Sequence, residues 1–514
     1  MRSTNVIHVN YVLILVAIFG FSLRIVNLDF FPPMVDETGA LWESINYSAY
    51  SPFNRILMGK YFGFLLYKPI ILGANNPLYF ARVLTIVFSL VTIYFIYLIS
   101  KELQNKLAGL VASALYAISP FAIFHDRQAI FDPIATTLFC ISIYLFVIGV
   151  NKRKLLFLSG IFYALMSFTK ITCIATFPIY IVLWIYQKSK YRIDEGRNKN
   201  LVLSVVSDFW PFILGVLAGS IYLILIAPVP EVSEMGISQA RSFIKQFLSL
   251  SPENTAAKNS FYSGALYLWG GFNEYMGIFF VIILILTCVI AISKKYWLSV
   301  GLIFTSILSV LFFGILSHLF YRYIHFIQIP IYLSMGIVIA RLYAEYGYKN
   351  FYSNIYGFLM FGVAASLVYF SICMMHNPYS RIASGDLYSY KEGWPSANGI
   401  NNVTDRLSEI SINSDKKIVV VTSVWGSHGP WTLPLMFRNS RLPIIFYKSW
   451  LNTIEESSKI KNLLKNNRVI IFMDCPAYCL TEQDLDNLKF EYESIYKFQK
   501  IDPNSRYELI EIIK

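Results

Sequence analysis

Apolar residues fall in long blocks along this chain, at 9–28, 78–100, 107–124, 133–150, 155–169, 171–187, 203–227, 275–293, 297–317, 323–342 and 355–375. About 20 residues, rising about 1.5 Å each, cross the hydrocarbon core of a bilayer. The blocks therefore predict about eleven transmembrane helices. The two shortest are separated by an ionisable residue, Lys170. No small-residue cleavage site follows the first block, which reads as a retained span and not a signal peptide. Short alternating strands, the mark of a β-barrel, are absent from the first three quarters.

The pattern changes near residue 376. Helix-like NNVTDRLSEI precedes apolar, β-branched KIVVVTS; PIIFYKS, helical NTIEESSKIKNLLKNN, RVIIFMD and TEQDLDNLKF follow, and YESIYKFQ and YELIEII end the chain. Helices alternating with buried strands predict a small α/β layer domain with a partly parallel sheet. The expected division is a helical membrane domain over 1–375 and an α/β domain over 376–514. No internal repeat or low-complexity segment is visible.

Composition agrees with a membrane protein: 56% of residues are hydrophobic and 14% charged, with mean hydropathy +0.53. A soluble chain carries roughly 25% charged residues. The net charge of +12 is not a nucleic-acid footprint, because past residue 376 acids and bases nearly balance. The excess sits in short links: Lys152-Arg153-Lys154, then Lys188, Lys190, Arg192, Arg197 and Lys199, then Lys294-Lys295. Such links mark cytoplasmic loops. With them inside, the N-terminus is cytoplasmic and loops 29–77, 125–132, 228–274 and 318–322 face out. An odd number of spans makes the α/β domain extracytoplasmic, on a multi-pass cell-membrane protein. Loop 29–77 contains FNRILMGKYFGFLLYKPIILG and loop 228–274 contains ISQARSFIKQFLSL, both expected to form amphipathic helices along the membrane lipid. Cys140, Cys173, Cys288 and Cys373 lie singly in apolar segments. Cys475 and Cys479 in the tail fit either a disulfide, if the tail is extracytoplasmic, or two unpaired thiols.

The unusual polar residues all fall on the outer face. FFPPMVDETGALWE carries Asp36 and Glu37; Arg24 and Arg82 lie at outer span ends; IFHDRQAIFDP carries His125, Asp126, Arg127 and Asp132; Lys170 divides two spans; SHLFYRYIHF carries His318, Arg322 and His325. Each alone reads equally as a snorkelling side chain or a charge partner. As a set they point to a shared polar cavity, since ionisable groups at membrane depth face the protein interior. Acids beside bases at a membrane cavity suit group transfer from a lipid-linked phosphate. A carboxylate takes the acceptor's proton, and fixed cations stabilise the departing phosphate. The bland reading of Asp36 is a helix cap for GALWESINYS.

Several stretches resemble a known family in order and spacing. They are Arg24 followed by PPMVDE, then YFARVLTIVFSLVTIYFIYLISKEL, ALYAISPFAIFHDRQAIFDP, SGIFYALMSFTKIT, FYRYIHFIQIP and YKEGWPSANGINNV. Together, over roughly residues 10–400, the chain resembles a GT-C glycosyltransferase of family 39, of the protein-mannosyltransferase and aminoarabinose-transferase type. It departs at Tyr321, where some relatives have His. The resemblance implies an inverting transferase that moves a sugar from a polyprenyl-phosphate donor to a hydroxyl of a protein, lipid or polysaccharide acceptor. It implies Asp36 as general base, with Glu37 orienting the acceptor, holding a cation or supporting the loop. Arg322 and Lys170 are assigned to the donor phosphate with Arg127 in reserve. Asp132 is expected to pair with an Arg, and Arg24 and Arg82 to support the site. A monophosphate leaving group requires no metal, though a divalent cation between Asp36 and Glu37 stays open. The tail either recognises the acceptor or caps the cavity, and WGSHGP follows a strand, where such folds often bind ligands. The rival class, a lipid or sugar transporter or flippase, often shows matched halves with broken helices, and no such halves are visible.

Overall fold

The computed structural model describes residues 2–45, 60–195, 201–226, 261–314, 321–347, 351–377, 379, 382–393, 395–422, 428–448, 454–475, 479–480, 484, 486 and 490–513. Every apolar block carries helix. In chain order the helices are α1 (Arg2–Ile25), α2 (Val35–Ile45), α3 (Tyr61–Gly73), α4 (Pro77–Leu103), α5 (Lys106–Ile118), α6 (Pro120–Asp126), α7 (Phe131–Gly149), α8 (Arg153–Ser167), α9 (Phe177–Glu195), α10 (Leu201–Ile226), α11 (Phe261–Met276), α12 (Ile278–Ser293), α13 (Trp297–Gly314), α14 (Gln328–Tyr346) and α15 (Phe351–His376). Single 3₁₀ segments, Ile171–Thr176 and Tyr321–Ile327, lead into α9 and α14. Among the described residues five helices are long and apolar enough to cross a bilayer, or up to seven if each of two bent pairs is one span. The bends have local causes. Between α5 and α6 the chain turns 61° at Ser119, which caps the second helix, and at Pro120, which has no N–H to continue the first. Between α11 and α12 it turns 112° at Gly277, whose φ of +77° disfavours any side chain.

The chain divides into two compact units. One holds Met1–Leu28, Tyr47–Leu66 and Ala81–Ala383; the other holds Asp29–Asn46, Tyr67–Phe80 and Ser384–Lys514. In the first unit α14 is central: 94% of the apolar window in Tyr321–Tyr346 is buried, against 28% in Asn354–His376. Helices α8 and α10 touch backbone to backbone. A Cβ on Gly160 would lie 2.0 Å from the Phe212 carbonyl, and one on Gly215 would lie 1.9 Å from that of Phe157. Gly219, four residues on, faces Ala164. This is the small-residue spacing by which helices approach closely in lipid, where apolar burial gives no drive to associate.

The second unit is built on a five-stranded sheet with order β2-β1-β3-β5-β4. The strands are β1 (Lys417–Thr422), β2 (Ile444–Lys448), β3 (Asn467–Cys475), β4 (Tyr492–Gln499) and β5 (Arg506–Ile512). β1 pairs in parallel with β2 and β3, and β5 runs antiparallel to β3 and β4. This is the partly parallel sheet expected from the sequence. β1 and β3 read as continuous apolar runs because both their faces are covered. Helix α16 (Ile400–Ile412) places Val403 and Leu407 with Ile418 and Val420 on one face; α18 (Ile454–Leu464) places Ile460 with Val419 and Ile471 on the other. Between β1 and β2 lies α17 (His428–Phe437). Cys475 and Cys479 are joined as a disulfide. Arg55, residues 228–260 of the second long loop, His318, and Trp425 to Ser427 of WGSHGP lie outside the described residues.

Candidate functional site

Within the first unit, three arginines found in the sequence surround the end of α1. A helix end leaves carbonyls without intrahelical partners. Arg127 Nη2 donates to the carbonyls of Val26 and Asn27 at 2.7 and 2.6 Å, and Arg82 Nη1 to that of Leu28 at 3.0 Å. Arg24 is fully buried: its Nε donates to Asp126 at 3.0 Å and its Nη1 to the carbonyl of Ala117 at 2.8 Å. Asp126 also accepts from the Tyr116 hydroxyl at 3.1 Å and lies 3.2 Å from His325 Nε2, and Thr136 bonds His325 Nδ1 at 2.8 Å. Arg24 thus ties α1 to Asp126 and to the end of α5, Arg82 holds the turn after α1, and Arg127 is partly committed to backbone.

A second group surrounds Lys170. The chain is extended at Lys170, between α8 and the Ile171–Thr176 turn, and its ammonium pairs with Asp132 at the start of α7. Asp132 pairs with this lysine and not with the arginine expected for it, because the break after α8 points Lys170 at the first turn of α7. Lys170 Nζ lies 4.8 Å from the Tyr323 ring centre and the Arg322 guanidinium 6.0 Å from it. Both residues assigned to the donor phosphate thus flank one ring, and Arg322 is only 8% exposed. Tyr116 and Thr136 went unremarked in the sequence, since a Tyr or Thr in an apolar span carries no signal of its own.

Asp36 and Glu37 belong to the second unit. Met34 forms an isolated antiparallel bridge with Ser396, supported by Val35 N–H to the Pro395 carbonyl at 2.9 Å and Ala397 N–H to that of Pro33 at 3.0 Å. Helix α2 starts at Val35. Glu37 is fully buried, and its Oε2 accepts the Met34 N–H at 3.0 Å. That is the reciprocal half of a capping box. Asp36, one residue earlier, is part-exposed on the first turn. Thr38 bonds Thr432 of α17 at 2.8 Å, and Gly39 faces the Trp431 ring, which a Cβ would meet at 2.9 Å.

Residues 70–226 match the model of the family described as dolichyl-phosphate-mannose-protein mannosyltransferase. In fold the chain is similar to ArnT from Cupriavidus metallidurans in the apo state, with a TM-score of 0.57, and to the same protein bound to undecaprenyl phosphate, with a TM-score of 0.55. Identity is 14% in both cases, with 99% of this chain and 98% of that chain covered. No curated protein matches the chain.

Proposed function

We propose that this chain, whose residues 70–226 match the mannosyltransferase family model and whose fold is similar to that of ArnT, is a GT-C glycosyltransferase that transfers a sugar from a polyprenyl-phosphate donor to an acceptor hydroxyl on the outer face of the membrane. The acceptor oxygen attacks the anomeric carbon from the side opposite the phosphate, which inverts that centre. Its proton passes to the Asp36 carboxylate. The bond from the anomeric carbon to the phosphate oxygen breaks, and its electron pair leaves with the polyprenyl phosphate. Arg322, as a two-pronged donor, and Lys170, as a point charge, stabilise that phosphate. ArnT in complex with undecaprenyl phosphate supports the choice of lipid carrier. No step needs a metal, because the leaving group is a monophosphate.

The observation that carries the reading is the division of labour within VDE. Glu37 is buried and closes the capping box at the start of α2, and Asp36, one residue earlier on the same first turn, is part-exposed, where its carboxylate can be reached by an acceptor. Arg127 holds the turn after α1. Purified protein in detergent should release undecaprenyl phosphate from an undecaprenyl-phosphate sugar in the presence of an acceptor, which a transporter would not do. Arg322→Lys keeps the charge and loses the fork, so it should raise the donor KM about tenfold or more, as for a lost charged hydrogen bond. An unchanged donor KM in Arg322→Ala would remove Arg322 from the site.

A further inference from the structure

The second unit contains a buried polar cluster that the reaction does not use. Asp474, at the end of β3, and Lys500, after β4, form an ion pair at 3.4 Å with both side chains fully buried. Burial pushes the Asp474 carboxyl above its ordinary range and the Lys500 ammonium below its own, against the pull each exerts on the other. Such a pair adds little net stability, since desolvating two charges offsets their attraction. What it does is fix direction. Lys500 Nζ donates to the Ser396 carbonyl at 3.0 Å, where the Tyr507 hydroxyl also donates at 3.1 Å. Asp474 Oδ2 accepts the His428 N–H at 2.9 Å, which seats the first residue of α17.

His428 continues the chain. Its Nε2 lies 3.1 Å from the Pro395 carbonyl, which can only accept, so in the neutral ring Nε2 carries the proton and Nδ1 accepts. Thr432, 2.7 Å from Nδ1, must then donate to it. Its oxygen also lies 2.8 Å from the Thr38 hydroxyl, which in turn is 3.2 Å from the Val35 carbonyl in the first turn of α2. Every one of these side chains is at most 4% exposed. The cluster reaches two short segments: Pro395–Ser396, through Lys500, Tyr507 and His428, and Thr38, through Thr432; Ser396 bridges to Met34, and Thr38 lies two residues beyond Asp36.

We propose that the Asp474–Lys500–His428–Thr432–Thr38 cluster is a positioning device through which the C-terminal domain sets the first turn of α2, and with it the Asp36 carboxylate. Its members are positioning residues and touch no substrate. The proposal rests on Asp36 being the general base. A hydroxyl chain suits this task because each hydrogen bond holds its two atoms at a set distance, whereas an apolar contact would let the turn slide.

Thr432→Val removes the hydroxyl at constant shape. It should lower kcat roughly tenfold to a hundredfold, the effect of a small misplacement, with the donor KM unchanged. Thr432→Ser should restore turnover. By hydrogen exchange, amides 34–41 should open faster in Thr432→Val while β1 and β3 stay protected. Thr38→Val gives the same reading from the other end should Thr432→Val fail to fold. Wild-type turnover and exchange in Thr432→Val, beside an inactive Asp36→Asn, would overturn the proposal and leave the base assignment standing. Faster exchange across the whole sheet would overturn it too, since the cluster would then serve general stability. An active Asp36→Asn would remove the base assignment and the catalytic half of the proposal, and local exchange at 34–41 would still decide whether the cluster orders that turn.

Discussion

At the scale of single residues, two adjacent acids have different surroundings: Glu37 is fully buried and bonded to the Met34 N–H, and Asp36 is part-exposed. A capping box in its usual form starts with Ser or Thr and has Glu three positions later. Here the N-terminal partner is Met34, which offers only its backbone N–H, so the motif was hidden from a reading of side chains. The sequence marked Asp36 and Glu37 as a pair and left the choice between base and cap open for Asp36; the structure shows Glu37 in a capping bond. Gln caps as Glu does, so Glu37→Gln should keep turnover within a few-fold and leave the unfolding temperature nearly unchanged. Glu37→Ala should lose about 0.5–2 kcal/mol in thermal unfolding, the usual worth of a cap. A Glu37→Gln protein as inactive as Asp36→Asn would make Glu37 the reacting carboxylate. The bases were legible as a set and not as pairs. Arg24 finds Asp126 across 102 positions of chain and Lys170 finds Asp132 across 38. Partner choice of that kind is settled by helix packing, which no local pattern encodes.

Among elements, the helices were the most legible feature, because apolar length alone forces a span. Their contacts were not, because the residues that decide them are the smallest. Gly160 and Gly215 look like interruptions in the sequence and are sites where α8 and α10 meet backbone to backbone in the structure. Gly215→Ala should therefore lose about 1–3 kcal/mol in unfolding measured in detergent, the usual penalty of overpacking. Gly362 in α15 has nothing within 4 Å of a Cβ position, so Gly362→Ala should be neutral or slightly stabilising. Equal effects at the two positions would show that α8 and α10 do not meet as described. The strands of the second unit were legible too, since both faces of β1 and β3 are covered and their apolar runs are unbroken.

At the scale of the molecule, the sequence placed a boundary near 376, and the compact units divide at Ala383/Ser384. What it could not place was the loop after the first span. Asp29–Asn46 and Tyr67–Phe80 group with the C-terminal unit, the first through backbone bonds such as Val35 to Pro395, which leave no trace in side-chain pattern. The outward orientation of that unit is a proposal from the basic links. A cysteine at exposed Asn402 should react with a membrane-impermeant thiol reagent on intact cells, and one at exposed Lys154 should not; the reverse labelling would invert the topology. The central claim is that Asp36 takes the acceptor's proton, and Asp36→Asn tests it most directly. Asn keeps shape and helix-start preference but cannot accept that proton. Transfer from an undecaprenyl-phosphate sugar should fall roughly 10²–10⁴-fold, with donor binding and unfolding temperature near wild type. Near-wild-type transfer by Asp36→Asn would contradict the account and send the search for the base to Asp132 and Asp126.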